Sequence, residues 1–148
     1  MAVDQSPLPD DVLINKAATI ERCVKRAREE YNKDPATFAT DYTRQDAAIL
    51  NIQRACEAAL DMGQHLIRKH KLGVPQSSRD VFTLLAGAGF IPTELADNLK
   101  KMVGFRNIAV HEYQRLQVPV AEMVILHRLQ DFQLFCGTLI KKSSKSKG

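Results

Sequence analysis

Apolar residues recur at steps of three and four through most of this chain, and that spacing restricts it to helices. Leu13, Ala17, Ile20, Val24, Ala27 and Tyr31 form one stripe. Ile49, Ile52, Cys56, Ala59, Gly63 and Leu66 form a second, and Val118, Ile125, Leu129, Phe132, Cys136 and Leu139 a third. At about 3.6 residues per turn, each set lines one helix face that must be covered. No stretch alternates apolar and polar residues in the manner of a half-buried strand. The expected fold is all-α: an antiparallel bundle of four main helices plus a short one.

Local punctuation sets the helix ends. Pro7 and Pro9 keep residues 1–9 as an extended leader, and the carboxylate of Asp10 or Asp11 caps the first helix, which stops near Asn32 to Asp34. Residues 35–42 connect, with Phe38 and Tyr42 as packing anchors. The second helix runs from about Thr43 to Leu72, with Gly73 as its stop. Its small residues Ala55, Ala58, Ala59 and Gly63 invite close approach by another helix. Ser77 or Ser78 caps a short helix to about Ala86, which Gly87 and Gly89 break. Pro92 opens the next helix at its first position and carries Leu95, Leu99, Met102 and Val103 inward. Val118 and Pro119 turn the chain into the last helix. Residues 10–140 therefore read as a single helical domain, and 141–148 as a disordered basic tail.

That tail decides how the charge is read. The chain has 21 basic and 17 acidic residues, a net +4, but four of the lysines lie after Ile140. The folded body is neutral, so bulk charge is no argument for nucleic acid, although the tail could add weak, salt-sensitive attraction to phosphate. No apolar run approaches the roughly 20 residues that span a bilayer, and the first residues lack a secretory pattern. A cytoplasmic protein is expected. Cys23, Cys56 and Cys136 have no metal-ligand spacing and read as reduced, buried thiols. His65 and His70, five apart, miss the spacing that aligns two ligands on a helix face, and with His127 they read as surface or packing residues. Neither a glycine-rich phosphate loop nor a nucleophile elbow occurs. No metal or cofactor is expected.

The chemistry-bearing stretch is Met102 to Tyr113, which holds Arg106, Asn107, His111, Glu112 and Tyr113. Arg106 is a permanent cation whose fork of donors suits phosphate, His111 can exchange protons near neutrality, and Tyr113 offers a modifiable hydroxyl. Together they could cleave a phosphodiester without a metal; equally, such a trio can be a solvated helix end. On a straight helix Arg106 and Tyr113 share a face, whereas His111 sits roughly 140° from Arg106. Either the helix is irregular, helped by Gly104, or the site borrows residues from a second copy of the chain; the second option is favoured. Glu57 and Asp61, one turn apart beside the second stripe, could line a cleft or could form a solvated flank paired with Arg54 or Arg68.

Three segments carry a resemblance to a known family: Ala55 to Ile67, Phe82 to Pro92, and Met102 to Tyr113 with its Gly-Phe-Arg-Asn-x-x-Val-His-Glu-Tyr. In this order they resemble HepT-type toxins of the HEPN superfamily, partners of the minimal nucleotidyltransferase antitoxin MntA. That family's pattern is Arg, four to six residues, His, any residue, Tyr; Arg106, His111 and Tyr113 match it. The resemblance implies a helical homodimer with the motifs meeting at the dimer cleft, and metal-independent RNA cleavage by ribose 2′-hydroxyl attack. His111 would act as general base or acid, Arg106 would stabilise phosphoryl charge, and Asn107 would orient the phosphate or His111. Glu57 and Asp61 are supporting candidates, lining the cleft or fixing Arg106. It further implies that the antitoxin silences the toxin by moving AMP from ATP onto Tyr113. A different reading, mildly favoured by the neutral body, is a non-catalytic helical partner of a nucleotidyltransferase.

Overall fold

The computed structural model describes residues 10–145, which form six α-helices and two short 3-10 turns; among them there is no strand. The helices are α1 (Asp11–Asn32), α2 (Tyr42–His70), α3 (Ser78–Gly87), α4 (Thr93–His111), α5 (Val118–His127) and α6 (Leu129–Lys145). Asp10 caps α1, its carboxylate accepting from the amides of Val12 and Leu13. Ser77 caps α3 in the same way through the Asp80 amide.

α1 and α2 make the most extensive contact of the fold, and α2 lies at the centre, against α1, α3, α4 and α6. Asp10, at the start of α1, meets His65 and Lys69 near the end of α2, so the two helices run antiparallel. The stripes read from the sequence face the core: every residue of the first two is buried, and of the third only Val118 is partly exposed. Phe38, Phe82, Phe132 and Phe135 are among its fully buried side chains, each contributing about 1.5–3 kcal/mol on leaving water. The small-residue face of α2 admits α3 as anticipated. A Cβ on Gly63 would lie 2.5 Å from Val81 Cγ1.

Five local expectations need correction. α2 ends at His70, and it is Lys71 that takes the left-handed conformation (φ 54°). The Leu72 amide closes onto the Ile67 carbonyl at 3.0 Å, and Leu72 packs against the core, a hydrophobic closure that ends the helix before Gly73 is reached. Tyr42 is no packing anchor: it opens α2 and is 77% exposed, while Phe38 alone goes inward, edge-on to Tyr31. Pro92 is the residue before α4 rather than its first. The last helix is divided at Arg128, which lets Val124 and Ile125 of α5 and Leu129 and Phe132 of α6 all reach the core. Finally, α6 continues through Lys145, so residues 141–145 are helical rather than part of a disordered tail. Lys142 is held there, donating to the Gly89 carbonyl at 2.9 Å and lying over the Phe90 ring. The leader 1–9 and residues 146–148 lie outside the described residues.

Asp10 is more than a cap. Its buried carboxylate accepts from His65 Nε2 at 2.8 Å and from Lys69 Nζ at 3.1 Å. Burial alone would raise its pKa, but those two bonds and the Leu13 amide outweigh it and bring the group from 3.8 to about 2. The unfolded chain therefore binds this proton more readily than the folded one. The stabilisation, about 2 kcal/mol, is complete above the unfolded value and disappears as pH falls through the folded one. Unfolding measured in urea from neutral pH down to about pH 2 should show this loss in the wild type. An Asp10→Asn variant should start lower and lack that component; an identical acid profile would disprove the assignment.

Candidate active site around Arg106, His111 and Tyr113

α4 runs unbroken from Thr93 to His111, so the angular separation of Arg106 and His111 expected of a straight helix applies. Gly104 does not distort it. Its missing side chain instead makes room for Arg79, whose Nη2 would lie 2.9 Å from a Cβ there and whose Nε donates to the Lys100 carbonyl.

Arg106 turns toward α2. Its Nη1 donates to Asn107 Oδ1 at 2.9 Å, and its Nε lies 3.9 Å from Glu57 Oε2. That Nε is buried and has no hydrogen-bond partner among the described residues. Glu57 also accepts from Gln53 at 3.4 Å. Arg106, Asn107 and Glu57 are thus brought together, with Asn107 orienting the guanidinium. Asp61 is not part of this group; it pairs with Lys16 on α1 at 3.0 Å. Neither carboxylate pairs with Arg54 or Arg68.

Cys56 lies beside this cluster, and burial pushes its thiol up to about 12 against the opposing pull of Arg106. It is inert as a nucleophile at neutral pH. The other two cysteines are likewise free and buried.

His111 is the exposed final residue of α4. The chain then leaves the helix, Glu112 closing onto the Ile108 carbonyl at 2.8 Å, and Tyr113 opens a 3-10 turn, Tyr113–Arg115. Tyr113 therefore does not sit on the Arg106 face, as it would on a continued helix. Its hydroxyl donates a hydrogen bond to Asp46 Oδ1 on α2. Burial, followed by the Asp46 carboxylate, holds the phenol well above its usual pKa. Asp46 was not singled out in the sequence: 67 residues away, an aspartate in the first turns of a helix looks like ordinary dipole compensation.

The family described as "Ribonuclease HepT-like" matches residues 20–139. The chain belongs to the HepT-like ribonucleases. It is 53% identical over 130 residues to the mRNA nuclease HepT of Shewanella oneidensis, covering 88% of this chain and 97% of that protein. A tRNA nuclease HepT of Aphanizomenon flos-aquae is 30% identical over 84 residues, 57% of each chain. Among solved structures, a tri-AMPylated Shewanella oneidensis HEPN toxin in complex with MNT antitoxin is similar, with TM-score 0.84 and 52% identity over 88% of this chain and 97% of that one. A toxin–antitoxin structure with AMP-PNP superposes with TM-score 0.85 at 51% identity, covering 88% and 98%. The helical fold expected of HEPN toxins is the fold of this HepT-like chain. No described helix is long and apolar enough to cross a membrane.

Proposed function

We propose that this HepT-like chain is the toxin of a toxin–antitoxin pair: a homodimeric, metal-independent endoribonuclease neutralised by AMP transfer to Tyr113. The observation that carries the reading is the 53% identity to an mRNA nuclease HepT along nearly its whole length, together with the Arg106–Asn107–Glu57 cluster found in that framework. The ribose 2′-hydroxyl attacks the adjacent phosphorus and the 5′-oxygen leaves, producing a cyclic phosphate. His111 takes or returns the proton, and Arg106 stabilises the charge on the phosphoryl oxygens. In this reading each site combines residues of two chains across a two-fold axis, which is supported by the different sides to which α4 directs Arg106 and His111. The relatives' names divide between mRNA and tRNA; a single-stranded segment of either offers the flexible phosphodiester this chemistry needs. The test is cleavage of RNA by the purified chain in excess EDTA. Failure to cut under those conditions, with cutting restored by Mg²⁺, would refute metal independence.

The Tyr113–Asp46 contact bears on control by a cognate MntA-like nucleotidyltransferase. When Tyr113 Oη bonds to the α-phosphorus of ATP, pyrophosphate leaves and the phenolic proton passes to Asp46. The product cannot keep the original contact: Oη has lost its hydrogen, and a phosphodiester anion faces the Asp46 carboxylate. Tyr113 must swing away, adding bulk and negative charge two residues from His111 where substrate phosphate would bind. Intact mass after co-expression with the antitoxin should show whole AMP additions that Tyr113→Phe abolishes. Asp46→Asn should slow the transfer roughly tenfold or more, as loss of a proton acceptor does. Unchanged mass in the presence of antitoxin and ATP would refute the modification.

A further inference from the structure

A second concave feature lies beside the Arg106 cluster, between α1 and α2. It is an open groove of about 380 Å³ whose charged lining residues are Lys16, Arg22, Arg26, Arg54, Glu57 and Asp61. Its charges are not balanced. Lys16 is satisfied by Asp61 at 3.0 Å, and Glu57 leans toward Arg106 at 3.9 Å. Arg22, Arg26 and Arg54 are exposed and form no ion pair among the described residues. Arg22 and Arg26 come from α1 and Arg54 from α2, and all three line this one groove.

Such an arrangement is costly to the fold. Arg22 and Arg26 are one turn apart on α1, where like charges repel, and Arg54 adds a third cation from the facing helix. Through Ile140 the chain has 17 basic and 17 acidic residues, these three arginines included, so the excess of positive charge here is local. Arginine at all three positions supplies planar forks that bind phosphate oxygens in pairs. Glu57 belongs both to the groove wall and to the Arg106 cluster, so the groove borders that cluster.

We propose that this α1–α2 groove binds the phosphodiester backbone of the RNA strand next to the bond being cut, through Arg22, Arg26 and Arg54. The inference rests on the ribonuclease reading, but its test does not require turnover. A labelled single-stranded oligonucleotide carrying 2′-O-methyl groups throughout has no nucleophile and cannot be cleaved by 2′-hydroxyl attack. Its binding to the full chain is measured by fluorescence anisotropy across a salt series, for the wild type and for the triple variant Arg22→Gln/Arg26→Gln/Arg54→Gln. Three phosphate contacts on a single strand predict that the slope of log K against log salt is reduced by about 2 in the variant. At low salt the variant's affinity should fall at least tenfold, and Arg→Lys at the same three positions should restore most of the slope. Thermal melting verifies folding; the three side chains are exposed.

An unchanged slope and affinity in the glutamine variant overturns the groove. If that variant also cleaves RNA normally, the ribonuclease reading survives without it. Conversely, the predicted loss of slope in a protein that cuts no RNA upholds the groove and removes the ribonuclease reading. ATP offers the same phosphate chemistry, so it is titrated in parallel. Loss of ATP binding with the oligonucleotide slope intact overturns RNA as the occupant.

Discussion

Replacing His111 with alanine is expected to lower RNA cleavage about 10²–10⁴-fold, the usual contribution of a positioned proton-transfer group. The fold should be unaffected. His111 is exposed at the end of α4 and makes no side-chain hydrogen bond among the described residues, so melting should shift by no more than about 0.5 kcal/mol in stability. Arg106→Ala should be comparably damaging, and Arg106→Lys should not rescue it, because an ammonium cannot reproduce the fork held by Asn107 and Glu57. The two inactive variants also test the composite site. Mixed and reassembled, they should regain about a quarter of the wild-type rate, since half the dimers are mixed and each holds one complete site. Purified His111→Ala protein that cuts RNA at the wild-type rate would end the proposed mechanism. Loss of activity in both variants with no recovery on mixing would instead confine Arg106 and His111 to the same chain's site.

The largest stability effect is expected at a residue far from this chemistry. Arg44 is 9% exposed and its guanidinium ties the α1–α2 connection together. Nε donates to the Glu30 carbonyl at 2.8 Å, Nη2 to those of Tyr31 at 3.1 Å and Asp34 at 2.7 Å, and Nη1 to Thr37 Oγ1 at 2.9 Å. It also lies over the Phe38 ring at 5.7 Å. The final carbonyls of α1 have no helical partner of their own, and this one side chain supplies it. Arg44→Met keeps much of the volume but leaves those acceptors in place without donors. The expected cost is about 3–5 kcal/mol, or a fall in melting temperature of roughly 10 °C or more for a chain of this length. Arg44→Lys should recover only part of it, because one ammonium cannot reach four acceptors arranged around a planar fork. A melting point within about 3 °C of wild type for Arg44→Met would show that water replaces the guanidinium without cost.

Effects governed by nearest neighbours were legible in the sequence. The stripes of α1 and α2 are buried residue for residue, because a helical repeat needs only intervals of three and four. Asp10 and Ser77 cap their helices, since an N-cap acceptor serves amides two or three positions on. Arg106, His111 and Tyr113 stood out by residue type, and it was the resemblance to HepT-type toxins that grouped them as one motif. Local signals failed where a distant partner intervened. Gly73 looked like the stop of α2, but the burial of Leu72 closed the helix at Lys71. Nothing local marks Arg44 or Asp46, whose partners lie outside α2 at Glu30, Tyr31 and Asp34 and at Tyr113.

The sequence by itself determined an all-helical chain, its principal helix faces and caps, and the residue types available for phosphate chemistry. The tertiary structure alone decided which of them meet. It brought Glu57 to Arg106 and separated Asp61 from that cluster. It also turned Tyr113 off its helix and onto Asp46, and gathered Arg22, Arg26 and Arg54 around one groove. The physical reason is reach. Periodicity and capping act within a turn or two of helix, whereas these contacts join residues tens of positions apart, and only the packing of α1 and α4 against α2 sets their distances.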